Sequence, residues 1–336
     1  MRGMPSLTIA TLLGLHVAAL VPGFLAPYAY DMQDRSAPFV PPTRIHFVDR
    51  HHKFHIRPFV CGLIATSSGF HEDCSVVSPV RLFTVGPRYG ILGLLTSRFH
   101  LFGVEGPLHL FLAGTDAFGR DEFSRLLYGA RTSLFAGILA ASISVALGTI
   151  VGCIAGYYGG LIDDAAMRTA EIFTVVPWLY LLLFMRAILP LHITADWVFL
   201  LLFSTLGAIG WARPGRLIRG IVLSAKNRDY VLAAKGFGAS DLYVLRRHIL
   251  SFVGSVAMTQ MLVYIPQYIL AEVMLSFFGL GISEPDPSWG NMLAALQQPF
   301  VLENCWWMFA PAAALTIVVM AYYMLFSKYA EGTNQV

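Results

Sequence analysis

Thr132-Ser133-Leu134-Phe135-Ala136-Gly137-Ile138-Leu139-Ala140-Ala141-Ser142-Ile143-Ser144-Val145-Ala146-Leu147-Gly148-Thr149-Ile150-Val151-Gly152-Cys153-Ile154-Ala155-Gly156-Tyr157 is a run of 26 residues without a charged side chain. About 20 such residues in a helix cross the ~30 Å hydrocarbon core of a bilayer, so the run predicts a transmembrane helix. Within it Ala136, Ala140, Ser144, Gly148, Gly152 and Gly156 recur at every fourth position, a stripe that lets another helix approach closely. The stripe does not say whether that helix belongs to this chain or to another subunit. The whole chain has the same character, since 56% hydrophobic against 13% charged residues in 336 departs far from a soluble globular balance.

Six apolar runs predict an all-α polytopic membrane protein with six transmembrane helices: Leu7 to Ala26, Thr132 to Tyr157, Ile172 to Leu191, Trp197 to Trp211, Phe252 to Leu275 and Trp306 to Phe326. The first is expected to be an uncleaved anchor, because it exceeds the usual core of a signal peptide, although Arg2 before it and Ala26 and Ala29 after it fit a cleaved leader. Pro177 and Pro266 fall inside the third and fifth runs and are expected to kink them. Trp197, Trp306 and Trp307 stand at run ends, as interfacial aromatics do, and Arg186 is placed to snorkel towards headgroups.

Loop charge sets the expected orientation. Between Ala212 and Leu250, Arg213, Arg216, Arg219, Lys226, Arg228, Lys235, Arg246 and Arg247 face only Asp229 and Asp241, which marks that loop as cytoplasmic. Phe278 to Cys305 carries Glu284, Asp286 and Glu303 with no lysine or arginine, as on the opposite side. Counting spans from there puts both termini in the cytoplasm and a long segment outside.

A net charge of +3 and the lack of basic stretches interleaved with aromatics argue against nucleic acid as a partner. Four cysteines are too few for a disulfide scaffold and form no C-x-x-C pair; one bond, Cys61 to Cys74, is compatible with their spacing. The polar, proline-containing segment that precedes residue 114 holds short alternating stretches at Ile45 to Val48 and Arg81 to Val85, which predict small strands in an extracytoplasmic insertion. Four histidines, His46, His51, His52 and His55, lie there within ten residues. On a helix His51 and His55 would share a face as metal ligands can, but Lys53 and Arg57 oppose a cation and the spacing supplies no further ligand, so a solvated loop is the expectation.

The string Tyr230-Val231-Leu232-Ala233-Ala234-Lys235-Gly236-Phe237-Gly238-Ala239-Ser240-Asp241 lies in the basic loop. It predicts a short helix, a glycine break and a new helix. Ala233 and Ala234 leave room for a foreign surface, Gly236 and Gly238 can take positive φ, and Ser240 can cap the helix that follows. An ordinary interhelical turn would use the same residues.

Ala233-Ala234, Gly238 and His248-Ile249-Leu250 resemble the coupling loop of binding-protein-dependent ABC importer permeases. Two more blocks extend the likeness. Gly114-Thr115-Asp116-Ala117-Phe118-Gly119-Arg120-Asp121, with Arg125 and Arg131 after it, resembles the segment that leads into the core of the second, C-type permease of dipeptide, oligopeptide and nickel importers. Glu272 and Leu275-Ser276-Phe277-Phe278-Gly279-Leu280-Gly281, then Pro287-Ser288-Trp289-Gly290-Asn291-Met292-Leu293, resemble the same family's stretch after the fifth span. Leu232 and Ser251 depart from the family pattern, where an acidic residue and a proline are usual.

The resemblance implies a type I ABC importer permease whose core is 114–328 with a coupling loop at 212–250; hydropathy and loop charge make residues 1–27 a transmembrane helix, 28–113 an extracytoplasmic insertion and 329–336 a cytoplasmic tail. It implies a bacterial inner-membrane protein that imports peptides, or else nickel or a nickel chelate. Tyr230, Ala233, Ala234, Lys235, Gly236, Gly238, Ser240 and Asp241 would receive an ATPase, while Glu272, Ser276, Gly279 and Gly281 would line or gate the pathway. Its partners would be a second permease, one or two ATP-binding subunits and an extracytoplasmic binding protein. No G-x-x-x-x-G-K-[ST] run occurs, so ATP and Mg²⁺ would be used by the partner ATPase, with no cofactor on this chain and no enzymatic role for it. A secondary transporter is the reading from another class, and it would show internal repeats that are not visible here.

Overall fold

The apolar runs become helices, because a backbone in lipid must satisfy its own hydrogen bonds. The computed structural model describes residues 4–49, 52–66, 69–91, 95–188 and 194–333. In chain order these form α1 (Met4–Leu20), α2 (Pro22–Leu25), β1 (His46–Val48), β2 (Phe54–Thr66), β3 (Gly69–Ile91), β4 (Leu95–Val104), α3 (Glu122–Tyr158), α4 (Gly160–Val175), α5 (Trp178–Ile188), α6 (Ala195–Gly210) and α7 (Ala212–Ala225). They continue with α8 (Asp229–Gly236), α9 (Asp241–Val244), a π turn at Leu245–Ile249, α10 (Leu250–Phe277), α11 (Trp289–Ala294), α12 (Pro299–Asn304) and α13 (Ala310–Thr333). Among the described residues the chain is mostly helical with one four-stranded sheet.

Among the described residues, four helical stretches are long and apolar enough to cross a membrane: Glu122–Tyr158, Asp196–Ala225, Asp241–Phe277 and Trp306–Glu331. The pair α4 and α5 makes a fifth if counted as one broken span. The expected third span from Ile172 to Leu191 carries the kink expected at Pro177: the chain bends by 80° between Val175 and Trp178. Val176 is extended, at φ −66 and ψ 120, because the ring of Pro177 disfavours helical geometry in the residue before it. Pro266, in contrast, sits inside α10 without ending it. The first expected span also breaks, since α1 stops at Leu20 and Pro22 opens a separate short helix.

The loop expected from 212 to 250 is mostly helix. α7 continues α6 as one apolar stretch, and α9, the π turn and α10 form another, so only the segment around α8 stands apart from the long helices. Charge counting marked where the arginines lie but not where the helices end, because helices run on beyond the hydrocarbon once their backbone is self-satisfied.

Two compact units share the chain, one of residues 1–9, 135–272 and 318–336, the other of residues 10–134 and 273–317. In the first, the glycine stripe of α3 packs on α7 of the same chain. A Cβ on Gly148 would lie 2.8 Å from Pro214 Cγ, on Gly152 2.6 Å from the Gly215 carbonyl oxygen, and on Gly156 2.8 Å from that of Arg219. Lys226 then donates to the carbonyl of Gly156 at 2.9 Å, one of the terminal acceptors α3 leaves open. Arg219 makes a two-pronged ion pair with Asp163 of α4.

The second unit holds an antiparallel sheet in the order β1-β2-β3-β4. Registers Cys61↔Val77 and Gly62↔Asp73 leave Cys74, Ser75 and Val76 as a bulge, held by Asp73, which accepts from Ser75 N–H at 2.9 Å and Ser75 O–H at 2.7 Å. The bulge brings Cys74 to a disulfide with Cys61, Cα to Cα 4.6 Å. A loop of this size is constrained by about 3 kcal/mol in the chain-entropy account. Cys61→Ser with Cys74→Ser is expected to loosen the sheet to that extent, read as faster proteolysis of residues 46–104 while the helices stay protected. His100, buried on β4, contacts the carbonyls of Ala26 at 2.6 Å and Pro87 at 3.0 Å, which ties the sheet to the end of α2.

The helical arrangement that would have made metal ligands of the histidines is not formed at His55, which lies on β2 and pairs with Asp49 at 3.0 Å. His51 lies outside the described residues. His46 meets Glu72 at 3.1 Å, and the two sulfurs within reach of it are bonded to each other, leaving no thiolate for an ion.

Candidate functional site

The string 230–241 folds as a hinge of named bonds. α8 ends in a Schellman motif: Ala239 N–H donates to the Ala234 carbonyl at 3.0 Å, Gly238 N–H to that of Lys235 at 2.9 Å, and Gly238 takes φ +85. Gly236 does not share this role, because it is the last helical residue and its φ is not positive. The motif needs a single left-handed residue, and Gly238 is it. Ser240 caps the next helix, its Oγ accepting from Tyr243 N–H at 3.3 Å.

One side of α8 is fixed and the other is open. Val231 is fully buried among Tyr157, Ile218, Val222, Val244, Ile249 and Val253. Tyr157 O–H donates to Asp241 at 2.6 Å, and Lys235 sits over the Tyr157 ring at 4.7 Å and 3.4 Å from Asp241. Tyr230, Leu232, Ala233, Phe237, Leu242 and Tyr243 face outward, with Phe237 93% exposed. α8 is thus a short helix anchored by one valine that presents large apolar side chains in a basic surround. Ala234 is half-buried.

In the other unit, the Gly114 to Arg131 segment forms a clamp. Gly114 at φ +71 and Gly119 at φ +69 make the turns. Thr115 exchanges backbone and hydroxyl bonds with Val40, and its carbonyl accepts from Trp307 Nε1 at 3.1 Å. Asp116, buried, accepts from the backbone of Phe118 and Arg120 at 2.8 and 2.9 Å and from Arg120 Nε at 2.6 Å. Arg120 then reaches Glu284 with both terminal nitrogens, and Arg125, 1% exposed, donates to Glu284 at 3.0 Å and to the Pro285 carbonyl at 3.3 Å. Asp121 caps α3 through Ser124, yet burial pushes its carboxyl up to about 7, against the Ser124 bonds that lower it. Arg131, half-buried on α3, lies outside this network.

The far side of the clamp is the 278–288 loop. α10 ends in a second Schellman motif, with Leu280 N–H to the Leu275 carbonyl at 2.9 Å, Gly279 N–H to that of Ser276 at 3.0 Å and Gly279 at φ +74. Ser276 Oγ accepts from Ile282 N–H at 3.2 Å, and a Cβ on Gly281 would strike it at 2.2 Å. Ser288 and Asn291 form a capping box at α11, and Asn291 Nδ2 also donates to the Asp286 carbonyl at 2.8 Å. Glu272, on α10, is fully buried. Sequence reasoning missed Glu284 as the partner of Arg120 and Arg125; its only signal was an acidic residue in a loop without cations.

A family model described as the binding-protein-dependent transport system inner membrane component matches residues 148–332, more than half of the 336. The chain belongs to this family. As a member of it, the protein is a multi-pass inner-membrane protein, and the matched region contains all of α8 and α11 but not the Gly114 to Arg131 half of the clamp or the sheet. It is similar to the dipeptide transport system permease protein DppC of Bacillus subtilis, 38% identical over 63% of this chain and 64% of that one. It is also similar to the oligopeptide transport system permease protein OppC of the same organism, 36% identical over 62% and 66%. The glutathione transport system permease protein GsiD of Pectobacterium atrosepticum is 34% identical over 66% and 71%. The matches thus span just under two thirds of the length of the two Bacillus relatives.

Proposed function

We propose that the chain is a permease subunit of a binding-protein-dependent ABC importer for peptides, forming half of the pathway beside a second permease. The observation that carries this is α8: a helix fixed through Val231 and open through Tyr230, Ala233 and Phe237, in a chain without a phosphate-cradling loop of its own. Such a helix serves as the lever on which one or two separate ATPases act, moving α7 and α10, which pack on the same cluster. ATP and Mg²⁺ belong to those subunits. The relatives' names, dipeptide, oligopeptide and glutathione transport, support peptides as cargo delivered by an extracytoplasmic binding protein.

The reading includes six spans, with α1 and the α4–α5 pair each crossing once, both termini cytoplasmic, residues 28–113 outside and 114–328 as the core. Glu272, buried near the outer end of α10, braces or gates the pathway together with the Ser276 to Gly281 turn.

Gly238→Val tests the lever. A β-branched residue at φ +85 costs at least ~1–2 kcal/mol locally, so the turn should refold rather than hold. Peptide uptake and co-purification of the ATPase are expected to fall by about tenfold or more while the variant still inserts in the membrane. Undiminished uptake with no ATPase subunit present would show a secondary carrier instead.

A further inference from the structure

The first unit contains a cavity of about 260 Å³ lined by the α4–α5 bend, by α6 and α7, and by α10. Its polar lining is Arg213, Gln267, Tyr264, Tyr268 and Thr174, and no acidic residue lines it. Gln267 lies within the apolar stretch Asp241–Phe277, which is long enough to cross a membrane. Arg213 lies within the Asp196–Ala225 stretch and lines the cavity together with Tyr264 and Tyr268. Every other basic residue of α7 has an acidic partner: Arg219 pairs with Asp163 and Arg216 lies 3.9 Å from Glu171. Among the described residues Arg213 has none.

We propose that Arg213, with Gln267 and the two tyrosines, is a carboxylate-recognising subsite of the translocation pathway, which receives the C-terminal carboxylate of a peptide on its way through. This rests on the peptide-importer reading above. A cation held in an apolar stretch without a counter-charge favours an anionic group passing it, and a guanidinium offers a planar fork that fits a carboxylate. Gln267 and the phenols add neutral donors, which orient a carboxylate without trapping it. The break at Pro177 gives the cavity its room, since a continuous helix through Val176 would not turn away there. The volume suits the end of a peptide rather than a whole one, consistent with ligand pockets of ~300–1,000 Å³ for larger guests.

The test uses the complete importer in nanodiscs with Cys153 and Cys305 replaced by serine and Gln267→Cys introduced. Labelling by a negatively charged methanethiosulfonate is compared with labelling by a positively charged one. Arg213→Gln should lower the anionic-to-cationic rate ratio by about tenfold, and a free dipeptide, but not its C-terminal amide, should protect the thiol. Thr174→Cys provides the same readout if the Gln267 variant does not assemble. An unchanged ratio in Arg213→Gln, or equal protection by acid and amide, overturns the subsite. A wild-type importer that moves no peptide would instead sink the cargo reading, leaving the rate ratio to judge Arg213 alone.

Discussion

Gly152→Leu is expected to abolish accumulation of the folded protein, the largest effect of any single substitution in the helical unit. Even a methyl group at this position would sit 2.6 Å from the Gly215 carbonyl oxygen and 3.1 Å from Arg219 N. Both are backbone atoms of α7, so no side chain can rotate away and the helices must separate along their length. Overpacking a well-fitted core costs ~1–3 kcal/mol when side chains can yield, and more where backbone must move. A loss above ~3 kcal/mol follows, and small-residue contacts of this kind drive helix association in lipid. Gly220→Ala on the same α7 is the control, because a Cβ there meets nothing within 4 Å. It should be neutral or stabilising by up to ~1 kcal/mol. The yield of folded, detergent-extractable protein measures both; similar yields for the two variants would show that the stripe is not a backbone contact.

Arg120→Met is expected to destabilise the clamp by about 2–4 kcal/mol. It removes the only side chain that donates to Asp116 among the described bonds, leaving a buried carboxylate with two backbone donors and a distant Arg125 at 3.8 Å. Stranding a buried charge costs ~3–5 kcal/mol, and the remaining backbone bonds offset part of that. Glu284→Gln should cost less, because the Glu284 side chain is 47% exposed and a glutamine oxygen still accepts from the buried Arg120 and Arg125. The order matters more than the value. If Glu284→Gln proved as damaging as Arg120→Met, the bridge between the clamp and the 278–288 loop would dominate over the burial of Asp116. Limited proteolysis of that loop separates the cases, since loosening the bridge exposes it while burial of Asp116 does not.

The spans that were read well are those where one physical demand decides the outcome. Thr132 to Tyr157 is helix because uncharged residues in lipid have no alternative, and Ser240 is a cap because the next helix needs an acceptor there. Gly238 was legible for the same reason, as a left-handed residue that ends a helix. Gly236 was misjudged beside it, since propensity offers both glycines and only the pattern of 5→2 and 6→1 bonds selects one. The bend at Pro177 and the continuity at Pro266 show the same limit: each proline removes one donor, and the residue type alone does not say at which of them the chain turns.

Composition and the uncharged runs determined a mostly helical membrane protein, because lipid and backbone chemistry act locally along the chain, and three ordered blocks of residues carried the resemblance to the permease family that the family match bears out. The partner of the glycine stripe, the union of Asp116, Arg120 and Arg125 with Glu284, the meeting of Cys61 with Cys74 through a bulge, and the gathering of Arg213 with Gln267 around one cavity were decided only by tertiary structure. Each joins elements far apart in sequence, and distance along the chain carries no record of which backbone a glycine admits or which carboxylate an arginine finds.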